Sequence, residues 1–158
     1  MMSDVKGFVR ISPYASLAFR IVLGAIFLYA GVIKILDPSG FAVAVSNYRI
    51  LPGLLVNPFA LVLPWIEVIS GISLLLGIGI EGGALIIGSL LFVFALALGM
   101  GLLRGLDISC GCFSTSQEAQ AITWSYLARD LILLFMAGFV FFFDTGLASM
   151  RNRGVFRR

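Results

Sequence analysis

Four long apolar runs constrain this chain more than any other feature of its sequence. They cover about residues 14–34, 57–80, 83–103 and 123–143, and short connections rich in glycine, proline or polar residues separate them. A helix that crosses a bilayer needs roughly 20 mainly apolar residues, because each adds about 1.5 Å against about 30 Å of hydrocarbon. Each run meets that length. The runs do not alternate in polarity and are too long for barrel strands, and within lipid a helix satisfies its own backbone. Composition agrees: 60% of the residues are hydrophobic and only 12% are charged, against about a quarter charged in ordinary soluble domains. The expected fold is an all-α, integral membrane four-helix bundle, with residues 1–158 as a single transmembrane domain.

The first run follows Lys6 and Arg10, as a signal peptide would, but it is longer than a typical signal core and no small-residue cleavage site follows it. It is read as a retained span. Gly79 to Gly83 is expected to form a tight turn, making the second and third spans an antiparallel hairpin. The first connection contains Asp37-Pro38-Ser39-Gly40 and Leu51-Pro52-Gly53, and Phe41 to Tyr48 between these breakers suits a short interfacial helix. In the third span, Ala95/Gly99 and Ala97/Gly101 are small pairs suited to close helix contact. Trp124 fits an interfacial anchor.

Basic residues set the expected orientation. Lys6, Arg10, Arg151, Arg153, Arg157 and Arg158 lie on one side; Lys34, Arg49 and Arg104 lie on the other. The positive-inside bias puts both termini in the cytoplasm and the connection holding Cys110 and Cys112 outside, in a multi-pass protein of the bacterial cytoplasmic membrane.

Two constellations carry the available chemistry. Cys110-Gly111-Cys112 holds both cysteines of the chain. On the oxidising side of a membrane such a dithiol can pass electrons by exchange; the plainer reading is two inert residues, or a bond that stiffens the loop. A zinc site would lack two ligands, since histidine is absent, so no metal is expected. The second constellation is charge within the apolar runs, where an Arg, Lys or Asp at a helix centre costs on the order of 3 kcal/mol. Glu67 lies about ten residues into the second span, Arg129 and Asp130 about six into the fourth, and Lys34 ends the first. Helical rise puts all four in one half of the bilayer, beneath the cysteines. There they would either bind the polar head of a cofactor such as a quinone or pair to lock the bundle. Arg20, near the inner end of its span, is expected to snorkel to the interface. The phenylalanines, including Phe139, Phe141, Phe142 and Phe143, are read as packing or lipid contact.

Ser109-Cys110-Gly111-Cys112-Phe113, Ile122-Thr123-Trp124 and Leu127-Ala128-Arg129-Asp130-Leu131 resemble the MauE (methylamine utilisation) family, which belongs with the DoxX-like four-helix membrane proteins. Ala30-Gly31-Val32-Ile33-Lys34, Asp37-Pro38, Tyr48, Leu51-Pro52 and Leu63-Pro64 with Glu67 extend the resemblance from about Arg20 to Phe143. Ser114 departs from it, standing where glycine is expected. The resemblance implies a redox or maturation protein that supports disulfide formation in a periplasmic partner beside a thioredoxin-like protein, with a quinone link known among DoxX-like relatives. Cys110 and Cys112 are the expected catalytic pair, and Lys34, Glu67, Arg129 and Asp130 the expected cofactor pocket. The rival expectation is a non-catalytic anchor or assembly subunit of a larger membrane redox complex.

Overall fold

The computed structural model describes the backbone of residues 2–104 and 124–143, and the side chains of residues 14–104 and 124–143. Cys110 and Cys112 therefore lie outside the described residues. Five helices make up the described chain: α1 (Met2–Leu36), α2 (Pro38–Asn47), α3 (Gly53–Leu76), α4 (Ile80–Leu103) and α5 (Trp124–Phe143). Four of them hold segments long and apolar enough to cross a membrane: Tyr14–Leu36, Gly53–Leu76, Ile80–Leu103 and Trp124–Phe143.

These helices close a ring in the order α1, α3, α4, α5, in which α1 packs chiefly on α3 and α4 on α5. The α1–α5 and α3–α4 contacts complete it, while the diagonal pairs scarcely touch. Between 22% and 39% of each spanning segment is buried within the bundle. Large apolar side chains such as Leu54, Phe142 and Phe135 stand on the outside, as they do where lipid is the solvent. Toward the α3–α4 turn the core is hydrophobic: Leu23, Leu74, Ile87 and Val140 are fully enclosed.

Local chemistry sets the breaks. Asp37 ends α1 and caps α2, its carboxylate accepting from the Gly40 backbone N–H at 2.9 Å and the Ser39 hydroxyl at 3.0 Å. Pro38 follows at the first helical position, where its missing N–H costs nothing. The α3–α4 turn is Gly77-Ile78-Gly79, earlier in the chain than the expected Gly79 to Gly83. Both of its glycines are left-handed, with φ of 70° and 62°, a conformation that costs other residues roughly 1–2 kcal/mol. The Ser73 hydroxyl donates to the Ile78 carbonyl and braces the turn. Gly83 instead lies inside α4 against α3, where an added Cβ would come within 3.0 Å of Ser73 Oγ. At its other end α3 starts at Gly53, ahead of the expected boundary near Asn57, with Pro52 as its N-cap.

A tight helix approach lies between α1 and α3, and Gly99 of the Ala95/Gly99 pair takes no part in one. A Cβ on Gly24 would lie 2.9 Å from the Gly71 carbonyl oxygen, and one on Gly31 would lie 2.8 Å from that of Pro64. Thus α1 and α3 meet backbone to backbone, whereas a Cβ at Gly99 would meet nothing within 4 Å. This contact fixes the register in which Lys34 of α1 reaches Glu67 of α3.

Candidate functional site: a charged cluster within the bundle

Lys34 lies two residues before the end of α1 and Asp130 six after the start of α5, while Glu67 sits just past the midpoint of α3, deeper than its expected position. Lys34 Nζ donates to Glu67 Oε1 at 2.6 Å, and both side chains are 2% exposed. The ammonium also lies over two rings, 4.9 Å from the centroid of Phe41 on α2 and 5.3 Å from that of Phe94 on α4. These faces supply negative potential where water is excluded. On α5, Arg129 donates to Asp130 Oδ1 at 3.1 Å. Adjacent helical positions diverge by about 100°, so Asp130 turns inward at 4% side-chain exposure while Arg129 stays 33% exposed beside the Tyr126 ring.

Lys34, Glu67 and Asp130 line one cavity of about 20 Å³, walled by Phe27, Ala30 and Leu133. The second oxygen of each carboxylate, Glu67 Oε2 and Asp130 Oδ2, is buried and has no hydrogen-bond partner among the described residues. Next to this cavity lies an apolar one of about 240 Å³ between α2 and α4, whose walls include Phe41, Tyr48, Phe59, Phe94, Ala97 and Met100. Phe94 borders both cavities.

The structure thus brings together three of the residues singled out from the sequence, Lys34, Glu67 and Asp130, and joins Arg129 to them through Asp130. It differs for Arg20. That side chain is 1% exposed and does not reach out to an interface. The reason is its direction around α1: Arg20 shares the enclosed face with Ser16, Leu23 and Phe27. Ser16, one turn earlier, is fully enclosed as well; two polar residues four apart in an apolar run were the available signal. The larger cavity has no counterpart in the sequence reading, because a short interfacial helix between Asp37 and Pro52 does not say which of its sides packs on the bundle. Phe41 and Ala44 of α2, with the C-cap residue Tyr48, are buried at helical spacing against the bundle.

Fold and site together define a small polytopic membrane protein with an ion-paired interior. The model of the family "Methylamine utilisation protein MauE" matches residues 12–143. Two curated relatives carry that name. The Paracoccus denitrificans protein is 35% identical over 80% of this chain and 68% of its own length; that of Paracoccus versutus is 36% identical over 79% and 67%. The chain belongs to the MauE family. No solved structure matches it.

Proposed function

We propose that this chain is the membrane component of a thiol–disulfide relay in the bacterial cytoplasmic membrane, with Cys110-Gly111-Cys112 on the extracytoplasmic face. A thioredoxin-like partner or a maturing periplasmic protein brings a dithiol. Its two electrons pass to a Cys110–Cys112 disulfide, leaving the partner oxidised and the chain's two thiols reduced. These thiols are reoxidised by a quinone, which takes two electrons and two protons and leaves as quinol. In the relatives' setting the protein matured this way would serve methylamine utilisation.

The observation that carries the reading is the buried Lys34–Glu67–Asp130 cluster beside an apolar cavity of about 240 Å³. Intramembrane ionisable groups are expensive and usually mark function. A cavity walled by Phe41, Tyr48, Phe59 and Phe94 suits a flat ring, and the Lys34 ammonium lies over the Phe41 and Phe94 rings that form part of its wall. The full chain, purified in lipid nanodiscs, should catalyse quinone-dependent oxidation of a small thioredoxin-like dithiol. Cys110→Ser with Cys112→Ser should abolish it, and Ala97→Phe, which fills the cavity, should raise the apparent KM for quinone. Unchanged turnover in the double cysteine variant refutes the relay. The assembly-subunit reading, supported by the fully formed Lys34–Glu67 pair that ties α1 to α3, would then stand in its place.

A further inference from the structure

Glu67 and Asp130 both line the small cavity, one oxygen of each carboxylate is buried without a partner among the described residues, and a carboxylate can only accept hydrogen bonds. They sit on α3 and α5, helices across the diagonal of the ring that scarcely touch. The cavity measures about 20 Å³, enough for one water, which requires about 10–15 Å³. Water brings two O–H donors, one for each oxygen. It also needs a donor of its own, and Lys34, which lines the same cavity, uses one of its three N–H groups on Glu67 Oε1.

We infer that the cavity on the bundle axis is a binding site for a single water, which bridges Glu67 Oε2 and Asp130 Oδ2 and completes a proton path into the membrane interior. The path starts at the Asp130 carboxylate, held beside the one-third-exposed Arg129, whose guanidinium stays charged and only orients it. It continues through Asp130 Oδ1 and Oδ2 to the water, then to Glu67 Oε2, and ends at Glu67 Oε1 against Lys34. A proton taken up by Asp130 passes to the water, which gives its own proton to Glu67; Lys34 stays an ammonium throughout. No electrons move in this step. The water site stands on geometry alone. Its use for protons rests on the relay proposed above, since a quinone reduced beside Phe94 must collect two protons from inside the bundle.

Infrared difference spectroscopy of the full chain in nanodiscs, hydrated with ordinary or oxygen-18 water, tests the site. One strongly hydrogen-bonded O–H band should shift with the isotope. Glu67→Gln and Asp130→Asn, which keep side-chain shape, should each displace that band, while Cys110→Ser with Cys112→Ser should leave it in place. Absence of an isotope-sensitive band, or a band that neither Glu67→Gln nor Asp130→Asn moves, overturns the water site. Kinetics test the path. Glu67→Gln should slow quinone-dependent reoxidation by about a hundredfold, the scale of lost general acid catalysis, and leave thiol exchange with the partner unchanged. Equal rates in both half-reactions overturn the proton role while the band still stands. Loss of thiol exchange in the unaltered protein would remove the relay but not the water.

Discussion

Replacing Lys34 with methionine should be among the most damaging single changes in this protein. Methionine has a similar length and apolar bulk, so little cavity is created, and the effect isolates the charge. Glu67 Oε1 would lose its bond to Lys34, and its other oxygen already has no partner among the described residues. With both side chains 2% exposed, solvent cannot screen the carboxylate left behind. Breaking a buried pair from one side costs about 3–5 kcal/mol, whereas replacing both partners with apolar residues is close to neutral or stabilising. Lys34→Met alone should therefore lower the midpoint of thermal unfolding in nanodiscs by roughly 10 °C, by the scaling for domains of this size. Lys34→Met with Glu67→Leu should recover most of that loss. The reasoning is refuted if the double variant is as unstable as the single one, or if the single variant melts within a degree or two of the parent. Turnover adds a second axis: the rescued double variant should remain inactive if Lys34 and Glu67 work on a cofactor and regain activity if they only hold helices.

Gly71→Val should separate α1 from α3, since a Cβ there meets the Gly24 carbonyl and the Leu28 amide, both at 2.9 Å; a loss of about 1–3 kcal/mol, the usual cost of overpacking, is expected in the same melt. Gly82→Ala is the contrasting case: it lies in α4 with nothing within 4 Å of the added Cβ, so it should be neutral or stabilise by up to about 1 kcal/mol. Gly77→Val places a β-branched residue at a φ of 70° and should destabilise the α3–α4 hairpin by about 1–2 kcal/mol, read as faster proteolysis at the turn. Asp37→Ala removes the α2 cap and should cost about 1 kcal/mol, loosening Phe41 and with it one wall of the larger cavity.

The spans were legible because membrane hydrocarbon imposes a length and a composition that need no tertiary information. The convergence of Lys34, Glu67 and Asp130 was legible for a related reason. Once span ends are placed to within a few residues, the rise per residue fixes the depth of each charge. Boundaries were less so: Gly79, Glu81, Gly82 and Gly83 all look like turn residues, and only backbone geometry shows that the left-handed positions are Gly77 and Gly79. Depth also says nothing about direction around a helix. That is why Arg20 reads as a snorkelling residue and proves enclosed, and why the backbone approach at Gly24, Gly31 and Gly71 has no counterpart in the sequence reading. The expected redox pair lies outside the described residues, so its relation to the cluster rests on the α4 and α5 ends that flank it.

Buried charge and close glycine contact are two parts of one solution to assembly in lipid. Between residues 14 and 36, α1 carries two cations, Arg20 and Lys34, and no acid. They are fourteen positions apart, about 21 Å along the axis, so no single partner can serve both. Inserted alone, α1 would hold Lys34 in a position that lipid penalises; its acidic partner arrives only with α3 and the second carboxylate of its cavity only with α5. Apolar surface provides no drive for helices to associate in hydrocarbon. What selects α3 as the neighbour of α1 is therefore a surface so close that an added Cβ would stand 2.8–2.9 Å from backbone oxygen, together with an ion pair that forms in one register only. Sliding the pair by a single turn, about 5.4 Å, would break the glycine contact and strand both charges at once, and so the geometry that seals the interface also positions Glu67 at the cavity.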